Sequence, residues 1–294
     1  MNKGIERYLD EFRGHLAGCD KAVVQDALAD AEDHLTTGFE NLRRETPGLS
    51  SEQALKTVID SYGSPEEVAE NYRRAEAVTA PALSRPRRSS GAGWFRRFTG
   101  VIADPSAWGA FLYMIISFLT GALYFTWTSN GLSVSLGLLV LIVGVPVAWL
   151  FFLSFRGLAL VEGRIVEALL GVRMPRRSVF IRKGAGWWGS IRGVFTTRST
   201  WTSVVYMLIM LPLGTLYFSV FISLAALALS LAGSPVIEAA FHAPVVDYPE
   251  PWWIPVWMYP LAVAAGAAVF MGMLHLARLV GRLHGRMARA MLVS

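Results

Sequence analysis

The stretch that decides the fold is 105-PSAWGAFLYMIISFLTGALYFTWTSNGLSVSLGLLVLIVGVPVAWLFFLSF-155, a run of 51 residues without one Asp, Glu, Lys or Arg. A helix rises 1.5 Å per residue, so about 20 residues cross the ~30 Å hydrocarbon core of a bilayer. The run therefore accommodates two crossings, about 107–127 and 132–155, with Thr128-Ser129-Asn130-Gly131 as the expected turn between them. A second charge-free run, 199–237, supplies a third crossing near 203–231, and the fourth is expected at about 254–276. Pro146, Pro212, Pro255 and Pro260 fall within or beside these spans, where neighbouring helices can satisfy the carbonyls that proline leaves free.

The rest of the composition agrees. Only 17% of the 294 residues are charged, against roughly a quarter in an average soluble domain, and the mean hydropathy is +0.42. Residues 1–80 hold 9 Lys/Arg and 16 Asp/Glu, a net of −7; the remainder holds 18 basic and 6 acidic side chains, a net of +12. An acidic polar head thus precedes a basic apolar body. A pI near 9.5 suits a nucleic-acid binder in principle, but here the arginines flank apolar spans and membrane topology accounts for them. The single cysteine, Cys19, rules out an intrachain disulfide, and the polar N-terminus has no secretory signal.

Orientation follows from the loops. Arg156, Arg164, Arg173, Arg176, Arg177, Arg182, Lys183, Arg192 and Arg198 lie in the central segment, and Arg278, Arg282, Arg286 and Arg289 lie in the tail. Five more arginines lie between Arg85 and Arg97, whereas loops 128–131 and 233–253 have no Lys or Arg. By the positive-inside rule both chain ends are expected in the cytoplasm, and the protein in the bacterial inner membrane.

Residues 1–78 read as an all-helical acidic domain. Asp20 is a candidate N-cap for a helix whose Val24, Leu28, Ala31, Leu35, Phe39 and Leu42 recur at spacings of three and four. Pro47-Gly48 ends it, and Ser50 with Gln53 forms a candidate capping box for a third helix burying Leu55, Val58, Ile59 and Tyr62. Gly63 stops that helix, and Ser64-Pro65-Glu66-Glu67 starts another. Residues 79–100 are a basic Pro/Ser/Gly linker ending in an aromatic-basic stretch, Trp94 to Phe98, suited to a membrane surface.

The body, 101–294, is internally duplicated. Trp108, Tyr113, Met114, Gly121, Leu123, Tyr124 and Phe125 recur 93 residues later as Trp201, Tyr206, Met207, Gly214, Leu216, Tyr217 and Phe218. At an offset of 122, Arg156, Gly163, Arg164, Ala168 and Leu170 recur as Arg278, Gly285, Arg286, Ala290 and Leu292. Each unit reads as a hairpin followed by an amphipathic helix, about 156–171 and 277–292. Two in-out-in units imply a parallel repeat about an axis along the membrane normal. Gly121, Gly137, Gly144, Gly214 and Gly266 are candidates for close helix contact.

The head, through Tyr8-Leu9, Glu32-Asp33-His34 and above all Tyr62-Gly63-Ser64-Pro65-Glu66-Glu67-Val68-Ala69, resembles the HAAS/DUF1700 group of small helical domains. The body resembles the four-span sensor domain found in some bacterial two-component histidine kinases. Pro212-Leu213-Gly214-Thr215-Leu216-Tyr217-Phe218 carries that likeness, with Leu160, Glu162, Arg164, Ala168-Leu169-Leu170-Gly171-Val172 and Pro175. The two likenesses imply a signalling protein. No stretch of the sequence reads as a kinase core, so the signal is expected to pass to a cytoplasmic protein partner through residues 1–78.

Candidate sites are sparse. Glu238, His242, Asp247, Tyr248, Glu250, Trp252 and Trp253 form a candidate external ligand loop, carboxylates beside Trp faces suiting a cation or a lipid headgroup; a solvated loop above an aromatic belt is the plainer account. Arg96, Arg97, Arg176, Arg177, Arg182 and Lys183 are candidate contacts for anionic lipid. No catalytic motif, cofactor-binding loop or metal-ligand spacing is present, and the middles of the expected spans are free of charge, with His275 near one end. The reading is a non-catalytic membrane sensor, able to form homo-oligomers; a small lipid-handling or transport protein, or a membrane scaffold, is the alternative.

Overall fold

The computed structural model describes residues 3–78, 83, 98–138, 144–175, 198–241, 253 and 255–293. Among them the regular structure is entirely helical. Four helices build the head: α1 (Lys3–His15), α2 (Lys21–Glu45), α3 (Ser51–Tyr62) and α4 (Pro65–Val78). Four long ones build the body: α5 (Pro105–Leu138), α6 (Gly144–Leu170), α7 (Arg198–Phe241) and α8 (Tyr259–Leu292).

The start signals act as the sequence implies. Asp20 Oδ1 accepts from the Ala22 amide, and the Ser50–Gln53 box is reciprocal, the Gln53 amide donating to Ser50 Oγ and the Ser50 amide to Gln53 Oε1. Gly63 has φ 105° and ψ 166°, an extended conformation at positive φ that is open essentially to glycine alone. Its carbonyl accepts from the Tyr8 hydroxyl at 2.9 Å, and burial raises the Tyr8 pKa above the usual phenol value, which keeps it a donor. The head core packs Ile5, Tyr8, Phe12, Leu16, Ala27, Ala31, Leu35, Val58 and Ala69. Leu55, Ile59 and Tyr62 border it, while Phe39 lies outside, under the Arg43 guanidinium. Replacing Ser50 with Ala removes the box and should destabilise α3 by about 1 kcal/mol, seen as faster amide exchange in its first turn.

In the body, all four helices are long and apolar enough to cross a membrane, and only 17–33% of each apolar window is buried inside the protein. Leu119, Leu136, Leu150 and Leu229 point outward, as lipid-facing side chains do. The helices exceed the bilayer: at 1.5 Å per residue α5 and α8 are each about 51 Å long and α7 about 66 Å.

Two expectations change. Residues 128–131 are not a turn but part of α5. Thr128 is fully buried and Gly131 lies against the Phe151 ring, so this stretch packs on α6 as a helix, and a helix keeps its backbone hydrogen bonds internal. The amphipathic arms 156–171 and 277–292 are likewise not separate elements; they continue α6 and α8 without a break.

The largest interface joins α5 to α7, followed by α7 with α8 and α5 with α6. A Cβ built at Gly121 would strike the backbone of Met210, and one at Gly214 the backbone of Ser117. Since 210 − 117 and 214 − 121 both equal 93, the two contacts are one contact repeated by the pseudo-two-fold. Gly266 makes a similar approach to Ala228 and Ala232, but a Cβ built at Gly137 would meet nothing among the described residues. The relation extends to the arms: Gly109 packs on the Leu169 carbonyl, and its counterpart Thr202 donates to the Met291 carbonyl at 2.8 Å. Gly121→Ala and Gly214→Ala should each lower the thermal midpoint of the detergent-solubilised protein by about 3–10 °C through overpacking. Gly137→Ala should leave the midpoint unchanged.

Candidate functional site

Tyr113 and Tyr124 are 11 residues apart on α5, three helical turns, and so point the same way; Tyr206 and Tyr217 repeat the arrangement on α7. Between these helices α6 inserts Glu162 and α8 inserts His284. Tyr113, Tyr206 and Glu162 are fully buried, Tyr124 and His284 nearly so. Tyr113 Oη donates to Glu162 Oε1 at 2.6 Å, and Tyr206 Oη donates to the same oxygen at 2.8 Å. His284 Nε2 lies 2.6 Å from Tyr113 Oη and 3.1 Å from Tyr206 Oη, and its Nδ1 lies 3.4 Å from Tyr217 Oη. The two central hydroxyls are 3.5 Å apart.

The cluster obeys the repeat. Tyr113 pairs with Tyr206 and Tyr124 with Tyr217 at the offset of 93, and Glu162 pairs with His284 at the offset of 122. An acid and a base thus occupy equivalent positions across the pseudo-two-fold, bridged by equivalent tyrosines. All four core residues lie eight residues from a helix terminus: Tyr113 and Tyr206 from the starts of α5 and α7, Glu162 and His284 from the ends of α6 and α8. That sets the cluster about 12 Å inside the arginine-bearing end of the bundle.

Hydrogen positions follow from donor counting. Each tyrosine has one proton, and an ionised carboxylate only accepts, so with both hydroxyls directed at Glu162 Oε1 the imidazole must present a proton on Nε2. Glu162 Oε2 is buried and has no hydrogen-bond partner among the described residues. Tyr124 is the third tyrosine bearing on this carboxylate, and among the described residues no arginine acts on it. A buried charge without a counter-ion is costly, and the quartet is what offsets that cost. Among the described residues no group of three His, Cys, Asp or Glu could hold a metal.

A family model described as Putative sensor matches residues 113–292, more than half of the chain. The chain belongs to the Sensor family. A HAAS model matches residues 7–71. No curated protein and no solved structure matches the chain. The Sensor match begins at Tyr113 itself and contains both carboxylate and imidazole of the buried quartet.

None of the candidate ligand-loop or lipid-contact residues singled out from sequence is a member of the quartet. Glu238 is half-buried near the end of α7, beside Tyr259 of α8, and Trp253 is exposed. His242, Asp247, Tyr248, Glu250 and Trp252 lie outside the described residues, as do Arg96, Arg97, Arg176, Arg177, Arg182 and Lys183. His275 stacks on Phe98 and contacts its carbonyl at 3.1 Å. The quartet escapes a search for charge in the middle of the spans because Glu162 and His284 read as arm residues; the Sensor fold keeps the arms inside the bundle. The repeat offset held the signal, since 162 + 122 = 284 joins the two ionisable groups. Tyr113→Phe should destabilise the Sensor bundle by about 1–3 kcal/mol, and Tyr206→Phe by less, because Tyr113 makes both short contacts. Chemical unfolding in mild detergent, with Tyr259→Phe at a half-buried position outside the quartet as the matched control, measures the ranking.

Proposed function

We propose that this protein is a non-catalytic sensor of the bacterial cytoplasmic membrane, with both ends of the chain on the cytoplasmic side, that relays a membrane or external cue to a cytoplasmic regulator through its HAAS head. The observation that carries the reading is the course of α8. This one helix contributes His284 to the seam, and five residues later Arg289 Nη2 pairs with Asp20 Oδ2 of the head at 2.8 Å. Asp20 is also the N-cap of α2, so the pair joins the sensor arm to the start of a head helix. On the same face of α8, 11 residues back, Arg278 pairs at 3.0 Å with Asp104, whose side chain accepts from the Ser106 amide at the start of α5. Partly exposed pairs of this kind contribute little stability, about 0–1 kcal/mol each, which suits contacts that must break and re-form.

Neither family brings catalytic machinery, so the output is a binding event at the head. The arginines at that end of the bundle also suit anionic headgroups, which would fix its depth in the bilayer. The test is affinity purification of the detergent-solubilised protein with and without residues 1–78. A cytoplasmic protein captured by the full chain and lost on truncation is the expected result, with Asp20→Ala and Arg289→Ala changing its yield. Capture of the same proteins by both forms would remove the signalling reading and leave a lipid-handling or scaffold role.

A further inference from the structure

The quartet has a feature that structural packing alone leaves unexplained. Glu162 Oε1 accepts two hydrogen bonds, while Oε2 of the same group is buried and, among the described residues, without a hydrogen-bond partner. An oxygen that water cannot touch has no room for a metal ion or an organic ligand. A proton needs no room. Across Tyr113, His284 offers the second place for one, with Nε2 engaged by the two central tyrosines and Nδ1 facing Tyr217.

We propose that Glu162, Tyr113, Tyr206 and His284 form a proton-binding site at the seam between the two halves, and that gain or loss of one proton is the event that sets their packing. The proposal deepens the signalling reading and rests on it for its consequence at the head. The site has two states. With the proton on Glu162 Oε2 or on His284 Nδ1, the buried group is neutral overall, either as acid and imidazole or as carboxylate and imidazolium. Without it, a carboxylate stands beside a neutral imidazole, and the seam holds a net negative charge in apolar surroundings, met only by hydroxyls. The proton comes from and returns to solvent, and no other bond changes. Because the two sites are joined through Tyr113, the titration belongs to the quartet and not to either residue.

Among the described residues the polar groups that face the site are Tyr113 and Tyr124 from α5, Glu162 from α6, Tyr206 and Tyr217 from α7, and His284 from α8. Of the charges nearby in sequence, Arg164 pairs with Glu167 on α6 and Arg278 with Asp104. Among the described residues, Arg156 on α6 and Arg282 and Arg286 on α8 make no hydrogen bond or ion pair with the quartet. The pseudo-symmetry explains why such a site sits here. Two identical acids at these positions would repel, and two tyrosine-bridged apolar residues would not titrate; an acid opposite a base gives a pair that exchanges one proton with no net repulsion.

The test is pH-difference infrared spectroscopy of the full chain in lipid nanodiscs between about pH 5 and 8, the range in which a histidine-containing site can respond. The expected result is a single one-proton transition that carries both a protonated-carboxyl band and an imidazole band, lost in Glu162→Gln and in His284→Gln and shifted in Tyr113→Phe. Should a variant fail to fold, wild-type protein labelled at histidine ring nitrogen and tyrosine Cζ gives the same answer by solid-state NMR, through a titrating imidazole close to tyrosine carbons. Absence of any such transition in the wild type, or its survival at full amplitude in either variant, overturns the proposal. A transition that appears while head-dependent capture does not follow pH supports the proton site and counts against the relay; head-dependent capture with a silent quartet does the reverse.

Discussion

A carboxylate enclosed by apolar side chains needs hydrogen donors, and the rest of this bundle is arranged to bring two of them to one of its oxygens. Glu162 is fully buried and, among the described residues, no arginine or lysine meets it; two hydroxyls from two different helices close on one of its oxygens. That requirement fixes the rotation of α5 and α7 about their axes and their approach to each other. The glycines at 121 and 214 permit the approach by letting each helix touch the backbone of the other. Packing and polar chemistry here are one constraint seen from two heights in the bundle.

The duplication gives the constraint its form. A two-fold repeat places identical groups around the axis, and tyrosine tolerates that because its hydroxyl both donates and accepts. A carboxylate does not, since two of them would share one buried site. The half that carries Glu162 is therefore matched by a half that carries His284, and the symmetry is broken at the one position where retaining it would be most costly. Elsewhere the halves diverge more gently, as where Gly109 packs on a carbonyl and its counterpart Thr202 donates to one.

Much of the fold was legible because its signals are local. Charge-free runs give spans, Ser50 with Gln53 gives a helix start, and Gly63 gives a stop; each depends on residues within a few positions of one another. The boundaries inside the membrane were not legible. Thr128-Ser129-Asn130-Gly131 has the composition of a turn, yet a buried Thr128 and a phenylalanine ring over Gly131 hold it helical, and both are tertiary effects. The tyrosines of the site were visible as repeated residues without a purpose. Glu162 and His284 were not visible as a pair, because they differ in type, lie 122 positions apart and sit in segments that look like solvated arms. Only the packing of those arms against α5 and α7 shows that the charged positions turn inward.

The unbroken continuation of α8 from membrane to arm makes it a lever. It meets the backbone of α7 closely at Gly266, and Arg289 lies 23 residues further on, about 35 Å along the axis. A tilt of about 5° around that crossing would carry the arm's tip roughly 3 Å, more than the tolerance of a hydrogen-bonded ion pair. A jointed arm would absorb such a tilt at its hinge. A continuous one turns a small angular change within the bilayer into the making or breaking of a contact at the base of the head.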